Sequence, residues 1–128
     1  MAVVSQVEKK VVMTNWNVVR FQIVTYCYIY DIQISEADLN CLTYLALEGE
    51  QELTTFCSKV YSKKIFSSAQ SARNSVTKAE KKKLIVKEGR NKKKIYLNPE
   101  MKIVASGNIL LNFKVLSLAS QESQTSNT

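Results

Sequence analysis

The chain has 128 residues, of which 45% are hydrophobic and 23% charged, a composition typical of one globular domain. It contains no histidine, which removes the commonest general base and metal ligand, so we expect no enzyme, no metal and no cofactor. No run approaches the roughly 20 apolar residues of a membrane span, and the N-terminal residues lack the order of a signal peptide. We therefore expect a soluble protein that is not exported.

The positive charge is concentrated in one part of the chain. Residues 59–102 hold 14 Lys or Arg and three acids, a net charge of +11, whereas the remaining residues hold four Lys or Arg and eight acids, a net charge of −4. Such asymmetry is typical of a face that binds a polyanion. The alternative is a solvated basic surface without a partner.

The three cysteines, Cys27, Cys41 and Cys57, are widely spaced, and each lies in an apolar pattern. Their odd number and the absence of a CxxC pair do not fit a disulfide scaffold. We predict buried free thiols.

Two helices are predicted in the first half of the chain, after a short N-terminal segment. Residues 7–13, before the first helix, are interpreted as a strand or an arm. A helix then follows over residues 14–32, with Thr14 or Asn15 as its N-cap, because apolar residues recur at helical spacing. A second helix begins after Ser35, which has an acid three residues on, and ends at Gly49.

Two further helices are predicted after Gly49. A short one covers residues 54–61. The next opens at Ser67 or Ser68 and continues to about Lys82. Its apolar positions are small residues at helical spacing, which allow close packing against a neighbour: Ala69, Ala72, Val76 and Ala79.

Two β-hairpins and a tail are predicted to complete the chain. Residues 84–86 and 94–97 flank a basic loop that contains Gly89. A second hairpin is expected to join residues 101–105 to residues 109–116 through Gly107. Residues 119–128 have no apolar anchor and are expected to form a flexible tail.

This order of helix, short helix, turn, helix and basic hairpin resembles the winged helix-turn-helix domain, most closely over residues 53–99. Residues 78–85 are similar to the transition into the wing of MarR-type regulators, although Lys83 stands where those families usually have glycine. The departure bears on the tightness of that turn and not on the topology. Residues 94–99 resemble the end of the wing in plasmid RepL-type replication initiators, and the whole pattern is similar to short winged-helix proteins of crAss-like phages.

The resemblance implies a fold class and a domain organisation. The expected fold is α+β and mainly α, a winged helix-turn-helix with an N-terminal helix and a C-terminal β-hairpin. We expect an arm over residues 1–13, one domain over residues 14–118 with its core at 35–99, and the tail.

The chemistry of the fourth helix and the basic hairpin points to double-stranded DNA. With the small residues turned inward, Gln and Asn side chains that can bond adenine, Arg that can bond guanine, and Lys and Ser that can bind phosphate lie outward or flank that face. The wing cations would contact the backbone or the minor groove. The alternatives are a plain solvent-facing helix and a hairpin whose lysines protect an edge strand. The candidate DNA-binding residues are Ser68, Gln70, Ser71, Arg73, Asn74, Thr77, Lys78, Lys81, Lys87, Arg90, Lys92, Lys93 and Lys94.

Two functions from different classes fit this pattern. The first is a phage or mobile-element DNA-binding protein, either a transcriptional regulator or a replication initiator, in the cytoplasm of the bacterial host. The second is a phage structural or interaction protein that reuses the fold for protein docking and is associated with the virion. In either case we expect a homodimer, because residues 16–32 and 109–116 hold more apolar surface than the core of one chain needs.

Overall fold

The computed structural model describes residues 2–118, an α+β fold with four helices and small antiparallel sheets within that range. The chain divides into two units. One joins the N-terminal residues up to Met13 to the C-terminal residues from Asn108, and the other is Thr14–Gly107. This division differs from the expected domain at 14–118. The flexible tail expected over residues 119–128 lies outside the described residues.

The first two helices begin and end at capping residues that the sequence indicates. Helix α1 is Asn15–Ile29, and its N-cap Thr14 accepts a hydrogen bond from the backbone N–H of Asn17 through Oγ1 at 3.2 Å. Helix α2 is Glu36–Glu48, and the Oγ of Ser35 accepts from the N–H of Asp38 at 3.1 Å. Helix α2 ends at Gly49, whose φ of +80° favours glycine.

Two further helices follow α2 in the chain. Helix α3 is Leu53–Ser62, capped by the side chain of Glu52. Helix α4 is Ala69–Lys81, and Ser68 caps it by accepting from the N–H of Ser71 at 3.0 Å. Of the two serines that the sequence left open, Ser68 is therefore the cap.

Three strands that lie between or after these helices form an antiparallel sheet. Its strands are β2 (Gln51–Glu52), β3 (Ile85–Glu88) and β4 (Lys94–Leu97), in the order β2-β4-β3. Strands β3 and β4 form the expected basic hairpin, with Ile85 opposite Leu97 and Glu88 opposite Lys94. Strand β2 lies between α2 and α3 in the chain and pairs with β4, so it attaches the hairpin to these two helices.

The turn from α4 into β3 is tight although it lacks glycine. Lys83 has a left-handed φ of +63°, and the N–H of Leu84 donates to the carbonyl of Ala79 at 2.9 Å. This six-residue closure is the helix-ending arrangement that glycine usually allows. Asp31 and Lys64, after α1 and α3, have the same conformation.

The core of the Thr14–Gly107 unit contains residues from all four helices and from the sheet. Phe56, Ile23 and Leu42 are among its largest fully buried side chains, and Ile95 of β4 is also buried. The cysteines are buried and free, as predicted. Burial raises the pKa of the Cys41 thiol to about 12. Within residues 2–118, no helix is both long and apolar enough to cross a membrane.

The predicted second hairpin is wrong. After the 3-10 turn Pro99–Met101, Lys102 takes a left-handed φ of +53°, and residues 102–108 contain no strand. The side chain of Gln22 on α1 accepts from the backbone N–H of Val104 at 2.8 Å and donates to its carbonyl at 2.7 Å. These two bonds take the backbone groups that a hairpin strand would use.

The other unit is a two-stranded ribbon. Strand β5, Ile109–Leu118, pairs antiparallel with β1, Ala2–Val11, from Val11 opposite Ile109 to Ala2 opposite Leu118. The N-terminal segment, interpreted as a strand or an arm, is therefore a strand.

Candidate nucleic-acid interface

Helix α4 has one buried face and one polar face. Ala72, Val76 and Ala79 are buried, as predicted, and so is Ser75, whereas Ala69 at the start of the helix is exposed. The opposite face, which we call the outward stripe, repeats at intervals of four, three and four residues and therefore forms a single row along the helix. The outward stripe consists of Gln70, Asn74, Thr77 and Lys81.

The first two side chains of the outward stripe contact each other. Both Gln70 and Asn74 are exposed, and Nε2 of Gln70 donates to Oδ1 of Asn74 at 2.9 Å. They are one helical turn apart, the spacing at which side chains on a helix surface meet. The two amides therefore form one polar group near the N-terminal end of α4.

The two charged residues beside the outward stripe have partners in the chain. The guanidinium of Arg73 donates to Oγ1 of Thr54, in the first turn of α3, at 3.2 Å. On the other flank, Nζ of Lys78 lies 2.9 Å from Oδ2 of Asp38, and the Lys78 side chain is 56% exposed. Helical spacing predicts Lys78 on the outward face; in the structure it lies on the flank of the outward stripe, in an ion pair with Asp38. Ser68 and Ser71, also predicted to contact DNA, bond each other at the start of the helix, with 3.0 Å between their Oγ atoms.

A buried polar contact fixes α4 against α2, and the sequence interpretation missed it. Oγ of Ser75 donates to Oδ1 of Asp38 at 2.6 Å, with both residues buried. Burial raises the pKa of Asp38, but the hydrogen bonds from Ser75, Lys78 and Ser35 and the charge of Lys78 outweigh it, so the pKa is lower than usual. Asp38 is therefore an ionised group that holds both Ser75 and Lys78.

Lys87 lies on β3, where its side chain contacts α4, and is not part of the loop of the hairpin. Its side chain is only 14% exposed, and Nζ lies 3.5 Å from both Oε1 of Glu80 and Oγ1 of Thr77. It therefore connects β3 to α4, beside the outward stripe. Of the predicted hairpin cations, Lys87 alone is partly buried.

The remaining hairpin cations are clustered and exposed. They lie in or beside the basic loop, residues 89–93, where Gly89 has a φ of +85° and Asn91 and Lys92 also have positive φ. Glu88 at the start of the loop accepts from the hydroxyl of Tyr96 at 3.0 Å, and this bond raises the pKa of Tyr96. The cluster consists of Arg90, Lys92, Lys93 and Lys94.

The arrangement offers hydrogen-bond donors, acceptors and positive charge. Within residues 2–118, no group of three or more His, Cys, Asp or Glu residues could hold a metal ion. Comparison of the chain with protein-family models, curated proteins and solved structures found no match.

Proposed function

We propose that this protein binds double-stranded DNA, with α4 in the major groove and the basic loop on the phosphate backbone or in the minor groove. One observation carries the proposal: the outward stripe of α4 is polar and lies opposite a buried face of small residues, next to a hairpin with four exposed cations. The element order and the sheet order β2-β4-β3 support a winged helix-turn-helix for the Thr14–Gly107 unit.

The dimensions of α4 suit the groove. The helix has 13 residues, which corresponds to a length of about 20 Å. The major groove is about 12 Å wide and accepts one α-helix. Because the buried side of α4 is packed on α2 and α3, the outward stripe is the face that would meet the base edges.

The cations would provide most of the affinity. Exposed Lys and Arg side chains release counterions from the DNA when they neutralise phosphates, so binding weakens as salt rises. The four exposed hairpin cations, together with Lys81 and Lys78 on α4, allow about four to six phosphate contacts. Arg73, Lys87 and Lys78, which have partners in the chain, are expected to contribute less than the exposed hairpin cations.

The test is a fluorescence anisotropy titration on a random duplex at about 50 mM and about 200 mM salt. We expect log K to fall against log salt with a slope of roughly −4 to −5. Lys92→Ala should weaken binding and reduce the slope by about 1, whereas Lys114→Ala, on the β1–β5 ribbon, is the matched single-charge control. No binding at low salt, or a slope near zero, would refute the proposal.

The second candidate is a protein-docking module, for example in a phage particle. It is favoured by apolar side chains that α1 leaves exposed, with Tyr28 at 87% and Ile29 at 66%. A protein that stays folded but has no affinity for any duplex at low salt would favour this candidate.

A further inference from the structure

We infer that Gln70 and Asn74 act together as one adenine-reading group, so that an A·T base pair is the determinant of specificity in the bound DNA. This inference rests on the proposed function. It goes beyond it by naming the base and the two side chains that read it.

The position of the pair suits base contact. Gln70 and Asn74 are exposed and lie in the N-terminal half of α4, which begins at Ala69. In helix-turn-helix proteins the N-terminal residues of the recognition helix contact the base edges. Lys81 lies seven residues after Asn74, about 10 Å along the helix axis, where a backbone contact is the expected role.

The hydrogen bond between the two amides decides which groups remain for DNA. Nε2 of Gln70 donates to Oδ1 of Asn74 at 2.9 Å. This bond uses one of the two N–H groups of Gln70 and one lone pair of Asn74, and it leaves Oε1 of Gln70 as a free acceptor and Nδ2 of Asn74 as a free donor. If both amides were rotated by half a turn, Gln70 would keep a donor and Asn74 an acceptor. In either arrangement one amide keeps its oxygen as a free acceptor and the other keeps its nitrogen as a free donor.

Adenine is the base that matches this pattern. In the major groove it offers the N7 acceptor and the N6 amino donor, whereas guanine offers two acceptors, N7 and O6. A guanine would therefore bring an acceptor against the free amide oxygen of the pair. The bond between Gln70 and Asn74 also restricts both side chains before binding, which lowers the entropy lost on contact.

The one arginine of α4, the residue type that prefers guanine, contacts α3. Arginine is the commonest guanine reader, and the single arginine of α4, Arg73, is half-buried and donates to Thr54 at 3.2 Å. The outward stripe thus holds two amides, a hydroxyl and one lysine. Its N-terminal half carries no cation.

The experiment begins with in vitro selection of duplexes that the full chain binds, followed by anisotropy titrations on the selected site. We expect at least one invariant A·T pair. Replacing that adenine by 7-deazaadenine, which lacks only the N7 acceptor, should lower the affinity roughly 5- to 100-fold. The same replacement should have no further effect on Asn74→Ala or Gln70→Ala. Both side chains are exposed, so far-UV circular dichroism of these variants should match the wild type.

Two controls separate base reading from positioning. Lys92→Ala should weaken the selected and random duplexes alike, and 7-deazaguanine at a G·C pair of the site should be neutral. Gln70→Arg supplies a guanidinium and should shift selection toward G·C. The inference is overturned if the chain binds DNA but selects no A·T pair, or if 7-deazaadenine is harmless. Absence of binding to every duplex at low salt would overturn the proposed function, and this inference with it.

Discussion

The backbone of Lys83 allows a stabilising substitution to be predicted. Its φ of +63° is left-handed, which costs an L-residue roughly 1–2 kcal/mol. Glycine avoids this cost. It also has more conformational freedom in the unfolded chain, which cancels about 0.5–1 kcal/mol of the gain in stability. Lys83→Gly should therefore raise the free energy of unfolding by about 0.5–1 kcal/mol. The carbonyl of Lys83 would still accept from Nδ2 of Asn98, a bond of 2.8 Å.

Urea denaturation followed by circular dichroism at 222 nm measures this change, because all four helices lie in the Thr14–Gly107 unit. For a unit of this size the midpoint of thermal unfolding should rise by about 3 to 6 °C. Lys81→Gly is the matched control: Lys81 is exposed but helical, so the same change should destabilise by about 0.5–1 kcal/mol. Lys83→Ala keeps the left-handed requirement and should change little. Equal destabilisation by Lys83→Gly and Lys81→Gly would refute the reasoning.

Three further predictions concern titration, thiol reactivity and association. The pKa of Asp38 is lowered in the folded chain, so its contribution to stability is present above the unfolded pKa of about 4 and is lost as pH falls through the folded value. Ser75→Ala should lower stability by about 1.5–3 kcal/mol at neutral pH and flatten this acid dependence; an unchanged acid profile would contradict it. Burial raises the pKa of all three cysteine thiols, so Ellman's reagent should label none of them at pH 8 until denaturant is added. Light scattering at micromolar concentration should detect a homodimer, because the ribbon and α1 expose large apolar side chains; a stable monomer of 14.5 kDa would count against it.

Local chemistry allowed the helices and the basic hairpin to be predicted from the sequence. Ser35 and Gly49 border α2 because a side-chain acceptor and a left-handed residue satisfy backbone groups at the two ends of a helix. Such effects act within a few residues. The small-residue face of α4 was predicted for the same reason, since Ala72, Val76 and Ala79 recur at the helical period.

The errors concern contacts between residues that are distant in the sequence. Strand β5 was paired with its neighbour in sequence, but its partner is β1, whose Val11 lies opposite Ile109. Ser75 looked like one more polar residue of α4, because its partner Asp38 is on another helix. The residue pattern of one segment carries no information about a partner on another segment. The same limit applies to Arg73, whose bond to Thr54 depends on how α3 packs against α4.

The pairing of β1 with β5 has a consequence for the order of folding. The helices and the three-stranded sheet lie between residues 14 and 107, and most of their contacts join elements close in sequence. The ribbon instead joins the second residue of the chain to Leu118. Closing so long a loop is entropically unfavourable, and on the ribosome β1 emerges long before its partner strand exists. We therefore expect the helical unit to fold first, while β1 remains an unpaired strand that is open to association with other chains until synthesis reaches β5.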